Sequence, residues 1–171
     1  MMRKTGLILL TGLLAVAVPA LAAPKTEAKF GLSDPNAPIA ISADRFDADQ
    51  NSNTLIYTGN AVVRQGDVYL HTDRLKVVAP DGKTPDKIYA DGHVVLTTPN
   101  GTATGADGIY DVTPRIVTIR GHVVLVKDNN VMRGETVVVD LIAGTAKMGA
   151  AEKGGRIQGL FTPKSLSSEK K

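Results

Sequence analysis

The sequence predicts an all-β protein built from repeated strand pairs, and three observations carry that reading. Short runs of Val, Ile, Leu, Tyr and Thr alternate with polar residues from Ile39 to about Ile157, the period-2 signature of half-buried strands. Turn pairs punctuate them: Asn51-Ser52, Gln65-Gly66, Asp81-Gly82, Asn100-Gly101, Asn129-Asn130 and Ala143-Gly144, all residue types that accept turn backbone. No window sustains the i, i+3, i+4, i+7 spacing of a helix over three turns. A string of short strands of this kind folds as a sandwich, a barrel or a solenoid-like stack.

Along the chain, residues 1–22 read as a secretory signal peptide. Arg3 and Lys4 supply the positive start, Gly6 to Val18 the apolar stretch, Pro19 the helix stop and Ala20-Leu21-Ala22 an A-x-A cleavage site. The apolar run falls short of the roughly 20 residues of a spanning helix, so cleavage before Ala23 is the expectation and a retained membrane anchor the alternative. No Cys exists anywhere, which excludes disulfides, thiolate chemistry and a lipid-modified cysteine. Cleavage leaves 149 of 171 residues, enough for one domain with a single core. Residues 23–37 are expected to be a flexible arm, 38–163 the β domain and 164–171 a disordered basic tail. The net charge of +3 falls to +1 without Arg3 and Lys4. A near-neutral chain with no Trp, three Phe and four Tyr has neither the basic field nor the stacking aromatics of a nucleic-acid binder.

The strands repeat. Gly59-Asn60-Ala61-Val62-Val63, Gly92-His93-Val94-Val95-Leu96 and Gly121-His122-Val123-Val124-Leu125 are copies of one unit, with glycines 33 and 29 residues apart. Each copy reads as a strand start and is followed by a small residue and an acid: Thr72-Asp73, Ala106-Asp107 and Gly134-Glu135, at offsets of 14, 15 and 14 from the glycine. Ala43-Asp44 precedes the first copy in the same way. A fixed period marks stacked units that share a continuous core. Alternation places Leu55, Tyr57, Ala61 and Val63 on one face, against Asn60, Arg64 and Val62 on the other. Val68 and Leu70 likewise oppose Tyr69 and His71, Val94 and Leu96 oppose His93, and Val123 and Leu125 oppose His122. An aliphatic inner face of this kind is either a closed core or a lined groove, and packed interiors are the norm.

Chemistry-bearing patterns are weak. Asp47-Ala48-Asp49-Gln50-Asn51-Ser52-Asn53 alternates oxygen ligands as an EF-hand loop does, but has Ser52 at the glycine position and Thr58 at the glutamate position; it reads as a hairpin tip. Gly82-Lys83-Thr84 ends like a P-loop, but Val77 stands where the first glycine belongs and Pro85 follows. His71, His93 and His122 have no metal spacing. No nucleophile–base pair or cofactor motif can be named, so no enzyme is expected. The regularly placed acids Asp44, Asp73, Asp107 and Glu135 suit a structural role, accepting backbone N–H groups at strand bends, better than a glycosidase carboxylate pair.

The strand units Tyr57-Thr58-Gly59-Asn60-Ala61-Val62-Val63 and Ile119-Arg120-Gly121-His122-Val123-Val124-Leu125 resemble the T-G-N-V-x-V units of the OstA-like family, periplasmic components of lipopolysaccharide export. Pro38-Ile39-Ala40-Ile41-Ser42-Ala43-Asp44 is similar to that family's first strand, Gly66 to Val78 to its second unit, and Lys153 to Leu166 to its closing strand. The similarity spans about residues 36–166, with Thr102 to Asp111 one residue tighter than the pattern, which leaves Ile109 or Tyr110 as the inward residue. The resemblance implies an open antiparallel β-jelly roll, V-shaped in section, whose aliphatic inside is a groove for lipid A acyl chains. Matching positions put Ile39, Ile41, Leu96, Tyr110 and Val112 on that face; alternation adds Leu55, Tyr57, Val63, Leu70 and Leu125. It also implies open edges near Ile39 and Ile41 and near Ile157, Leu160 and Phe161. These would pair with other copies head to tail, and with the inner-membrane export complex and outer-membrane translocon, by strand addition. A membrane-anchored adaptor of the same family, and a structural envelope repeat protein with a closed core, are the alternatives. On the groove reading, Leu96→Asp is expected to weaken lipid binding while sparing the fold, because a groove wall tolerates a charge.

Overall fold

The computed structural model of the protein describes residues 31–32, 34–49, 51–150 and 154–161; the expected signal peptide and basic tail lie outside them. Ten antiparallel strands form one sheet: β1 (Ile39–Ser42), β2 (Arg45–Asp49), β3 (Thr54–Gln65), β4 (Val68–Val78), β5 (Lys87–Thr98), β6 (Gly101–Asp111), β7 (Ile116–Lys127), β8 (Asn130–Asp140), β9 (Thr145–Gly149) and β10 (Gln158–Leu160). β3 to β8 are neighbours in sequence order; β1 and β2 share the free side of β3, and β9 and β10 share the free side of β8. This is the all-β, open antiparallel jelly roll that the resemblance implies.

The long strands are creased in the middle. Gly59-Asn60, Gly92-His93 and Gly121-His122 all have left-handed backbone, with φ of 81° and 44°, 80° and 47°, and 81° and 51°. At each pair the register slips, between Thr58 and Ala61, Asp91 and Val94, and Arg120 and Val123. Two consecutive left-handed residues inserted against one on the partner make a bulge that bends the strand sharply. Because the bulges align from strand to strand, the whole sheet folds along one line. The repeated glycines, expected to open strands, therefore sit at mid-strand. They are glycines for two reasons: the positive φ, and a close approach from the preceding chain, where a Cβ on Gly59 would lie 2.5 Å from Oδ2 of Asp44 in the β1–β2 connection.

The crease divides the sheet into two leaves. Leaf A holds β1, β10 and residues 61–72, 94–105 and 123–134; leaf B holds residues 45–58, 74–91, 107–120 and 136–149. Each leaf turns its aliphatic face to the other. Leu75, Val77, Ile88, Val94, Leu96, Val117, Ile119, Val123, Val137 and Val139 are buried between them, and each such side chain contributes about 1.5–3 kcal/mol on leaving water.

Candidate functional site

The inner faces are organised as rows that run across the strands. On leaf A the register aligns Ile41, Val63, Leu70, Leu96, Ala103, Leu125 and Met132. On leaf B it aligns Ala48, Leu55, Val77, Ile88, Tyr110, Val117, Val139 and Ala146. A second leaf B row joins Phe46, Tyr57, Leu75, Ala90, Gly108, Ile119, Val137 and Met148. At about 4.8 Å per strand, the seven positions on leaf A and the eight on leaf B make largely aliphatic tracks roughly 29 Å and 34 Å long. Every residue named for the interior lies on these tracks or packs against them. Val63, Leu70, Leu96, Tyr110 and Leu125 are between 1% and 5% exposed; Ile39, Ile41, Leu55, Tyr57 and Val112 are half-buried around them. Tyr110, not Ile109, faces inward, since it aligns with Ile88 and Val117. Tyr57 is capped by Phe46, ring centroids 5.0 Å apart.

The interior is filled in its middle and open at its ends. Near β8, a cavity of about 240 Å³ is lined by Leu125, Met132, Ala146 and Phe161, with Gly144 and Lys127 at its rim. Near β2 and β3, one of about 150 Å³ is lined by the apolar Ala48, Leu55, Ala79 and Pro85 and by the polar Asp49, Asn53, Thr54 and Lys83. The two leaves are also bridged by a polar clasp. The Tyr110 hydroxyl, on leaf B, donates to Gln65 Oε1, on leaf A, at 2.6 Å, and Gln65 Nε2 donates to the Ala37 carbonyl at 3.1 Å. Gln65 lies two residues beyond Val63, so extending the alternation by one step would have placed it inward.

Burial pushes the Tyr110 phenol up, with Arg115 pulling it partly back. A phenol raised on folding stabilises the protein fully below its unfolded pKa of about 10 and loses that contribution as pH rises through the higher folded value. Tyr110→Phe is therefore expected to flatten the loss of stability between pH 9 and 11 in urea melts. At neutral pH it should cost about 1–2 kcal/mol, because Gln65 Oε1 loses its donor.

Residues 31–32 and 34–37, in the segment expected to be a flexible arm, lie across the mouth between the leaf tips. Leu32 N donates to the Leu141 carbonyl at 2.9 Å, and the Arg115 guanidinium donates to the Pro35 carbonyl, through Nε at 2.8 Å.

The outer crease explains the repeat acids. Asp44 Oδ2 accepts from the Asn60 amide at 2.8 Å, and Asp73 Oδ2 lies 2.7 Å from His93 Nδ1. These carboxylates hold the side chain after the glycine, not the backbone N–H groups expected. In the third copy Ala106 faces Gly121, while Asp107, one residue on, pairs with Arg120 at 2.8 Å. The offset of 15 already marked that shift. The EF-hand-like segment is the β2–β3 hairpin, where Asp49 accepts from Asn51 N at 2.9 Å and Ser52 Oγ at 2.8 Å. The Gly82-Lys83-Thr84 segment is a turn in which Asp81 Oδ1 accepts from Lys83 N and Thr84 N. Among the described residues no three His, Asp or Glu side chains come together as a metal cluster, and no helix is long and apolar enough to cross a membrane.

Both sheet edges are split strands whose outer sides pair with no other strand among the described residues. Ile39 and Ile41 lie on β1; Leu160 lies on β10, flanked by Ile157 and Phe161, and those three are 48–68% exposed. A two-leaved sheet with lengthwise aliphatic tracks and unpaired edges defines a class of open β-jelly-roll proteins rather than a sealed barrel. The chain belongs to the family described as LptA/(LptD N-terminal domain) LPS transport protein, whose pattern it matches over residues 40–145. It is 30% identical over 160 residues to an uncharacterised protein of Rhizobium meliloti (strain 1021), covering 88% of this chain and 85% of that one. It is 24% identical over 171 residues to the lipopolysaccharide export system protein LptA of Escherichia coli (strain K12), covering 95% and 87%. The fold matches LptH, the LptA homologous periplasmic component of the lipopolysaccharide transport device of Pseudomonas aeruginosa, with a TM-score of 0.66 and 23% identity over 77% of this chain and 99% of that one.

Proposed function

We propose that this protein carries lipopolysaccharide through the periplasm, with lipid A acyl chains held between the two leaves and the sugar head outside. The observation that carries this reading is the set of continuous, largely aliphatic rows, from Ile41 to Met132 on leaf A and from Ala48 to Ala146 on leaf B, the leaf B row running from one end cavity to the other. An acyl chain in water costs about 0.8 kcal/mol per CH₂. Parting the leaves exposes apolar surface, and an entering chain covers it again, so the exchange is near balance. Contacts of this kind depend on area rather than hydrogen-bond geometry, so a chain can slide along the rows.

Strand addition at β1 and β10, through Ile39, Ile41, Ile157, Leu160 and Phe161, would join copies head to tail. It would dock the ends on the inner-membrane export complex and the outer-membrane translocon. A heterologous contact does not close on itself, so it extends as a bridge. Cleavage after Ala22 would make the protein a soluble bridge; retention of residues 1–22 would make it an anchored adaptor.

Photo-crosslinking residues placed at Ile39 and Leu55, where half-burial leaves room, are expected to label lipopolysaccharide in cells, and one at the outward His93 is not. Labelling from His93 alone would defeat the groove reading. A second reading, a structural envelope protein with a packed core, is favoured by one observation, the near-zero exposure of Leu75, Ile88, Val94 and Ile119. It is supported if no inner position labels and no lipid co-purifies.

A further inference from the structure

We infer that the segment carrying Leu32, Pro35 and Ala37 is a displaceable strap that holds the leaves closed until an acyl chain takes its place. This rests on the groove reading above and adds a control to it. The segment starts at the leaf B tips and ends at a leaf A tip. Leu32 N is bonded to the Leu141 carbonyl at 2.9 Å, and Gly31 packs so tightly on the β8–β9 turn that a Cβ there would lie 2.6 Å from Leu141 O and 3.3 Å from Gly144 Cα. Arg115, in the β6–β7 turn, holds the Pro35 carbonyl. The segment then meets leaf A, where Gln65 Nε2 reaches the Ala37 carbonyl at 3.1 Å and a Cβ on Gly66 would lie 3.6 Å from that of Ala37.

Three features make this a strap rather than another strand. Its bonds to the leaf tips come mostly from side chains, Arg115 and Gln65, and the segment extends no ladder; its own shape is kept by a local turn, with Ala37 N on Asp34 O at 3.2 Å and Asn36 N on Asp34 Oδ1 at 2.9 Å. Its apolar side chain, Leu32, is half-buried and packs against the core. Finally, Gly144, against which Gly31 sits, lines the end cavity that Leu125, Met132, Ala146 and Phe161 share. The segment thus borders that cavity at Gly31, and Leu32 beside it covers apolar core surface that an entering acyl chain would cover instead.

A closed strap lowers apparent affinity by the fraction of molecules in which it is open, so loosening it raises affinity until that fraction reaches one. Arg115→Gly removes the hold on Pro35 and suits a backbone whose φ is 55°, so the fold is retained. It is expected to bind fluorescent lipopolysaccharide about five- to tenfold more tightly than the wild type, and Leu32→Ser is expected to act in the same direction. In the wild type, saturation with lipopolysaccharide should abolish hydrogen-exchange protection of the Leu32 amide in NMR spectra. Unchanged or weaker binding by both folded variants, or a Leu32 amide still protected in the complex, overturns the strap while leaving the groove intact. Failure of wild type and variants alike to bind overturns both.

Discussion

Leu96→Asp is expected to cost the protein much of its stability. Leu96 is 1% exposed, between Leu70 and Ala103 in the middle of the leaf A row. The change replaces its two methyl groups with carboxyl oxygens, loses their aliphatic contacts and leaves a carboxyl that finds no donor among aliphatic neighbours. Burying an unpaired carboxyl in this way costs about 4–5 kcal/mol, a large part of the 5–15 kcal/mol that holds a typical domain folded. Thermal melts should shift down by about 10–20 °C. The sign of the pH dependence follows from the same burial. An aspartate raised on folding stays protonated in the native state, so the penalty is smallest below its unfolded pKa of about 3.9 and grows as pH rises above it. The groove reading of the sequence expects the opposite, a spared fold, and the difference lies in whether the leaves rest open or shut. Leu55→Asp, half-buried beside an end cavity, is expected to cost about 1–2 kcal/mol and is the better variant for measuring lipid binding. A Leu96→Asp protein within about 1 kcal/mol of wild type would mean that the leaves stand apart in solution.

That contrast also shows what the sequence could and could not convey. The inward face is legible because a strand alternates with a period of two, so one wrong residue would expose a whole set. Leu55, Tyr57, Ala61 and Val63 all fall on the predicted side for that reason. The choice between Ile109 and Tyr110 is not legible locally, since both are large and apolar; it is decided by pairing with β5 and β7. Closure of the leaves depends on contacts between residues far apart in sequence, such as Tyr110 and Gln65, and no period reports them. Residues 31–32 and 34–37 are held through backbone N–H and carbonyl groups, which nearly every residue has, so no side-chain pattern reports them. The third repeat acid stands one residue off the pattern: Ala106 faces Gly121 where Asp44 faces Gly59 and Asp73 faces Gly92. Recognition of the family supplied the open jelly roll, which alternation alone left among several all-β architectures.

The recurrence of Asn60, His93 and His122 after a glycine is the feature that the crease explains most fully, and it leads to a second large effect. Each has φ between 44° and 51°, a region that Asn and His enter more readily than most residues and β-branched residues enter hardly at all. The histidines are thus selected by backbone shape, not by imidazole chemistry. His93→Asn should stay within about 0.5 kcal/mol of wild type, because Asn60 already occupies the equivalent place beside Asp44. His93→Val should lose about 1–3 kcal/mol to backbone strain. Gly92→Val is the more severe change: its φ is 80° and the Asp73 carboxylate occupies the space of the new side chain. Strain and crowding together should cost about 3–4 kcal/mol. Urea midpoints for these three variants, at constant slope, test the ordering. If His93→Asn proved as damaging as His93→Val, the imidazole itself would matter, and the crease would have to be held by its contact with Asp73 rather than by left-handed backbone.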